Sequence, residues 1–161
     1  MKNNTKKLVF ASLMAAIACI ATMIIKIPTP TKGYVNLGDC AVLLSGFMLG
    51  PLYGGLAAGI GSALADAISG YFIYVPATFI IKGVMGVIAG VMYKKSSNFL
   101  TALFAGIIAE AVMVLGYFAF EATVMGYGVA AAASILGNVT QGIAGIVISL
   151  LLLPLTKKIK I

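Results

Sequence analysis

Between Asn36 and Gly90 the chain is apolar enough to sit in lipid, yet this stretch carries Asp39, Asp66 and Lys82. An ionisable side chain at bilayer depth costs roughly 2.5 to 3.5 kcal/mol on insertion scales. Three in one stretch point to a lined cavity and not to a plain anchor. The rest of the chain agrees: 61% of the 161 residues are hydrophobic, 9% are charged, and the mean hydropathy is +1.11. These values exclude a soluble globular domain and predict an integral membrane protein.

A spanning helix needs about 20 mostly apolar residues, fewer where it is buried among other helices. That ruler divides the chain into six segments, at about Leu8–Lys26, Leu37–Leu49, Leu52–Ser69, Val75–Tyr93, Phe99–Phe120 and Val129–Leu155. The second segment is short, and the Gly50-Pro51 break passes it directly into the third, which predicts a tight helical hairpin. Pro28, Pro30 and Gly33 forbid helix between the first two segments, so the longest connection is expected to be an ordered loop or lid. Met1–Lys7 is basic and leads into an apolar run, as a signal peptide does. The run continues to Ile27 without a clear cleavage site, so a retained first helix is expected. No internal repeat or linker divides the chain, and residues 1–161 are read as one domain.

All 11 basic residues are lysines, and they give a formal charge of +7. With both termini cytoplasmic, Lys2, Lys6, Lys7, Lys94, Lys95, Lys157, Lys158 and Lys160 fall inside and only Lys26 and Lys32 outside. That asymmetry fits an even number of spans, and it gives the high charge a topological reading in place of a nucleic-acid one. On this orientation, at about 1.5 Å per residue, Asp66 lies about 6 Å below the outer end of its helix, Lys82 about 12 Å and Asn138 about 13 Å. Glu121 is at an outer helix end, Gln141 shares a face with Asn138, and Asn36 and Asp39 flank the lid. Only Glu110 sits deeper. A through-pore carries polar lining to both faces, so this pattern predicts a cup open to the outside.

Small residues recur at helix-packing spacing in Ala11-x-x-x-Ala15, Gly55-x-x-x-Gly59 and Gly86-x-x-x-Gly90. For the glycines, internal packing is the expected use; the alanine pair fits either internal packing or a smooth surface for a partner helix. Lys82 and the carboxylates fit either internal ion pairs or contacts to a small polar ligand. Tyr71, Tyr74, Tyr117 and Tyr127 fit either an interfacial belt or stacking partners at the mouth. The chain has no His, and Cys19 and Cys40 read as small buried hydrophobes, so no metal site is expected. There is no phosphate-binding G-x-x-x-x-G-K-[ST] loop, H-E-x-x-H helix or G-x-S-x-G elbow, so no enzyme activity and no cofactor are expected. A solute mover without its own motor must couple to an ion gradient, run passively or borrow an ATPase.

Four stretches, G-Y-V-N-L-G-D at Gly33–Asp39, G-F-M-L-G-P-L-Y-G-G at Gly46–Gly55, S-A-L-A-D-A-I-S-G-Y at Ser62–Tyr71 and I-K-G-V-M-G at Ile81–Gly86, resemble a known family in order and spacing. The family is that of the substrate-binding S components of energy-coupling-factor (ECF) vitamin transporters, in particular the riboflavin-transporter-like branch. The resemblance implies a six-helix bundle in a prokaryotic cell membrane that captures a vitamin or precursor from outside under a closing first loop. It further implies association with a transmembrane coupling subunit and two ATPase subunits, with Ala11 and Ala15 as the docking face. The branch is similar to carriers of riboflavin, pyridoxine-type vitamins and the hydroxymethylpyrimidine precursor of thiamine. The absence of Trp favours a small hydroxylated heterocycle. From depth and chemistry, the expected ligand contacts are Asn36, Asp66, Lys82, Glu121, Asn138 and Gln141, with Tyr117 stacking. The alternative functions are a stand-alone proton-coupled permease using Asp66 or Glu110, and an assembly protein whose buried charges are merely paired.

Overall fold

The structure, a computed structural model, describes residues 2–156 and 159. Of the lysines assigned to the cytoplasmic side, Lys157, Lys158 and Lys160 lie outside the described residues, as does the side chain of Lys2. The elements in order are α1 (Lys2–Ile24), β1 (Lys26–Pro28), β2 (Tyr34–Asn36), α2 (Asp39–Ile68), α3 (Val75–Lys95), α4 (Phe99–Thr123), a 3-10 helix (Gly128–Ser134) and α5 (Ile135–Thr156). Among the described residues, five helices are long and apolar enough to cross a membrane.

The second and third sequence segments are joined in α2, which is not a straight rod. Gly50 has φ 75° and ψ −175°, a conformation open to glycine and strained for other residues. Pro51, next to it, cannot donate to the preceding turn. The chain therefore folds back on itself: a Cβ placed on Gly54 would lie 2.5 Å from the carbonyl oxygen of Ser45. In an unbroken helix, residues nine apart would be separated by roughly 13 Å along the axis.

α3 then packs along both halves of α2. Gly55 and Gly86 meet there, since a Cβ on Gly86 would lie 3.0 Å from Gly55 Cα, while one on Gly59 would lie 2.7 Å from the carbonyl oxygen of Phe79 and one on Gly90 would lie 2.5 Å from the nitrogen of Pro51. Backbones in this contact touch without intervening side chains, which is how helices gain dispersion energy in lipid. Pro76 occupies the first turn of α3, where its missing N–H costs nothing, and Lys94 and Lys95 occupy its last turn, where cations suit the carbonyl end of the dipole. Asn98 caps α4 by accepting the Thr101 N–H at 2.8 Å.

The loop expected between the first segments is more regular than its prolines indicated. It forms an antiparallel hairpin pairing Lys26 with Asn36, Ile27 with Val35 and Pro28 with Tyr34. Proline is tolerated at the start or edge of such a ribbon, and here it is the last residue of a three-residue edge strand. Val42, Leu43, Met85, Ala105, Ala109 and Met113 form the centre of the core. Leu8, Leu52, Ile80, Phe104, Leu115 and Leu151 are exposed on the outside of the bundle, as suits hydrocarbon surroundings and not water.

Candidate functional site

Both ends of α2, the start of α3, the end of α4 and the start of α5 meet at one end of the bundle, beneath the β1–β2 hairpin. Lys82 sits two turns into α3 at 3% exposure and donates to Asp39 Oδ1 at the start of α2. The second oxygen of Asp39 accepts from Gln141 Nε2 at 2.6 Å. Gln141 Oε1 in turn accepts the backbone N–H of Asn36, at 2.7 Å, from the hairpin strand β2. Asn36 turns its own side chain inward to accept the Gly38 N–H at 2.8 Å.

The other two carboxylates at this end hold the hairpin by side chains. Asp66, near the end of α2, accepts the Tyr34 hydroxyl. Glu121, near the end of α4, accepts Thr31 at 2.9 Å and Ser134 on its other oxygen, and Tyr74 Oη lies 3.0 Å from it. Burial first, and then the Asp66 carboxylate, push the Tyr34 phenol well above its usual range, so it remains a donor. Replacing Tyr34 with Phe should leave Asp66 buried without this donor, at about 1–3 kcal/mol. The expected result is faster proteolysis in the hairpin with the helices intact, measured by limited digestion of the purified protein.

Tyr117 completes the wall. Its hydroxyl lies 2.9 Å from Thr78 Oγ1, and Lys82 Nζ stands 5.5 Å from its ring centroid. These side chains enclose a cavity of about 30 Å³, room for one or two waters. Asn36, Asp66, Lys82, Tyr117, Glu121, Asn138 and Gln141 all line it. A ring-sized ligand fits only if the hairpin moves, because Thr29, Gly33 and Tyr34 form the roof.

The structure also decides pairings that the sequence left open. Lys82 pairs with Asp39 and not with Asp66. Asp39, an intramembrane charge by sequence but not among the expected ligand contacts, joins the site through Lys82 and Gln141. Thr22, Ser62, Tyr74 and Thr78 line the cavity as well. Two of these carried a signal: Ser62 precedes Asp66, and Thr78 precedes Lys82, by four residues on one helix face. Thr31 and Tyr34 carried none, because they belong to a loop without periodicity. Tyr71 lies behind the wall, its ring centroid 4.6 Å from that of Tyr34, and Tyr127 is half-buried outside the cavity lining. Glu110 does not line the cavity; it is buried against Gly142 and Gly145 of α5. Ala11 is buried in the core and Ala15 is half-buried with its backbone against Gly61, both lining a groove between α1 and α2. Among the described residues, no group of three His, Cys, Asp or Glu side chains is placed to hold a metal.

A family model described as ECF-type riboflavin transporter, S component, matches residues 2–159. An uncharacterised protein of Pyrococcus woesei is 40% identical over 130 residues, covering 80% of this chain and 86% of that protein. The thiamine precursor transporter HmpT of Lactococcus lactis subsp. cremoris is 29% identical over 157 residues, covering 96% of this chain and 90% of its own. Among solved structures, the S component of a bacterial ECF transporter superposes with a TM-score of 0.75 at 26% identity, over 98% of this chain and 99% of that one. The S component for biotin from an ECF-type ABC transporter shares the fold, with a TM-score of 0.69 at 20% identity over 97% and 93% of the two chains. A match along nearly the whole chain, with the same fold and a lidded polar end, identifies a membrane transport component and not an enzyme: this chain belongs to the family of ECF-type riboflavin transporter S components.

Proposed function

We propose that this protein is a single-domain, high-affinity binding subunit that captures a vitamin or vitamin precursor from outside the cell. ATP-driven uptake is then completed by an ECF transmembrane coupling subunit and two ATPase subunits. The observation that carries this reading is the cavity beneath the β1–β2 hairpin, lined by hydrogen-bonding side chains from α1, α2, α3, α4, α5 and the hairpin. The hairpin acts as the lid. Opening it breaks the bonds from Thr31, Tyr34 and Asn36 and frees the same acceptors for hydroxyl and amino donors of a ligand. The substrate we favour is a small hydroxylated heterocycle of the pyridoxine or hydroxymethylpyrimidine kind, with riboflavin as the larger alternative. Similarity to the thiamine precursor transporter supports the smaller ligand.

The accompanying topology is six spans in the cytoplasmic membrane of a prokaryote, with both termini inside. The break at Gly50 supports it by supplying the turn between two antiparallel half-elements, as does the excess of lysines at the opposite end from the lid. The protein purified without partners should carry a small molecule identifiable by mass spectrometry. Its rebinding should quench tyrosine fluorescence, since the chain has seven Tyr and no Trp. No tight binding of any vitamin would overturn the assignment. Uptake by proteoliposomes containing this chain alone would favour the proton-coupled permease instead.

The apolar groove between α1 and α2 is the proposed docking face for the coupling subunit, with Ala11 and Ala15 in its floor. Ala15→Trp should fill the groove, leave vitamin binding intact and abolish uptake by the reconstituted complex. Uptake retained at the wild-type rate would show that coupling uses another face.

A further inference from the structure

Glu110 is in neither the cavity wall nor the lid, yet it is 5% exposed in the middle of α4, and neither of its carboxyl oxygens finds a hydrogen-bond donor among the described residues; the polar side chain beside it is the Asp39 carboxylate. α5 is cut away to receive it. A Cβ on Gly142 would lie 3.1 Å from Oε2, and one on Gly145 would lie 3.0 Å from Oε1. The same position on Gly145 is 2.8 Å from Asp39 Cβ, so Glu110 and Asp39 flank a single glycine. The titratable groups facing Glu110 are Asp39 and Cys40 from α2 and Lys82 from α3; α5 presents the two glycines.

The charge count is one cation to two carboxyls. Asp39 already holds Lys82, so an ionised Glu110 would place an uncompensated negative charge at bilayer depth. Carrying a proton removes that cost. An anion formed there can be solvated only by admitting water, and the polar side of the cluster is the hairpin end, where Lys82 and Gln141 line the cavity and Asp39 is tied to β2 through Gln141 and the Asn36 N–H.

We propose that Glu110 is a buried proton-binding site whose occupancy sets whether the lid is held shut: protonated, the Lys82–Asp39–Gln141 cluster stays dry and anchors β2; deprotonated, the cluster hydrates and the hairpin is released. The closed state binds the additional proton, so by linkage low pH favours closure and rising pH favours opening. The device is independent of which ligand the cavity takes.

Two readouts on the full chain in lipid nanodiscs test it, and neither uses a vitamin, so failure of the substrate assignment and failure of this inference are separable. First, dicyclohexylcarbodiimide attacks protonated carboxyls in apolar surroundings. The acid proton passes to a carbodiimide nitrogen, the carboxyl oxygen bonds the central carbon, and the acyl group migrates to nitrogen as a stable adduct. An apolar groove lined by Ile107, Val114, Ile143 and Ile146 gives the reagent access to Glu110 from lipid. Mass spectrometry should place the adduct on Glu110 near neutral pH and show it declining as pH rises. Second, trypsin should cut after Lys32, exposed in the hairpin turn, about tenfold faster at alkaline than at neutral pH relative to an E110Q variant, in which the lid no longer senses pH. E110L serves as the reference should E110Q fail to fold. An unlabelled Glu110, or identical pH profiles of lid cleavage in wild type and variant, overturns the inference.

Discussion

Replacing Lys82 with Met should both weaken ligand binding and destabilise the bundle, and the two losses separate in a double-mutant cycle. Met fills the stem of the lysine but leaves Asp39, fully buried, without its cation. Breaking a buried ion pair by removing one partner costs about 3–5 kcal/mol, because the remaining charge is stranded. Asp39→Asn alone strands the ammonium in the same way. The double variant removes both charges and should recover most of the loss, so the two penalties should be far from additive when thermal unfolding is measured in detergent. Ligand affinity should behave differently. If Lys82 donates to the vitamin, the double variant stays deficient by about 10- to 100-fold, the effect of losing a charged hydrogen bond of about 1.5–3 kcal/mol. Wild-type affinity in a refolded double variant would make the pair a structural brace and nothing more.

The second large effect is expected where α2 crosses α3. Gly46→Leu should prevent the bundle from assembling, because a Cβ at this position would lie 2.5 Å from the carbonyl oxygen of Gly86 and 2.7 Å from Ala89 Cβ. A backbone atom cannot swing aside, so the helices must separate, and the loss should exceed about 4 kcal/mol, beyond the ordinary range for point substitutions. Gly83→Ala is the matched control on the same interface. Its nearest neighbour would be 3.6 Å away, an ordinary contact, and removing a helical glycine gains about 0.5–1 kcal/mol. Size-exclusion profiles of the two variants after detergent extraction should therefore diverge: aggregate for Gly46→Leu, a monodisperse peak of equal or higher thermal stability for Gly83→Ala. A monodisperse Gly46→Leu protein would show that this crossing is not tight.

Hydropathy, the Gly50-Pro51 break and the lysine asymmetry are properties of the chain taken locally, and they were enough to divide it into apolar segments and to foresee a break within α2. Depth counting was enough to gather Asn36, Asp66, Lys82, Tyr117, Glu121, Asn138 and Gln141 toward one end, because helix rise converts residue number into distance. What it could not provide is rotation. Whether Lys82 meets Asp39 or Asp66 depends on how α3 is turned about its axis, and Ala11 and Ala15 likewise read as either a surface or a packing seam. The hairpin was legible only as a place where helix is forbidden; that it pairs as a ribbon and that Thr31 and Tyr34 reach Glu121 and Asp66 depends on partners about 90 and 32 residues away.

The sequence by itself determined that this chain lives in lipid, that its polar groups gather at one depth, and which family it resembles. Only the tertiary structure decided which acceptor each donor finds, that the three carboxylates at the lid end are already engaged, and that Glu110 alone among the buried carboxyls finds no donor among the described residues. The physical reason is that hydropathy and rise act along the chain, one residue at a time. Pairing in a low-dielectric interior is instead fixed by helix rotation and by crossings at which glycines let backbones touch.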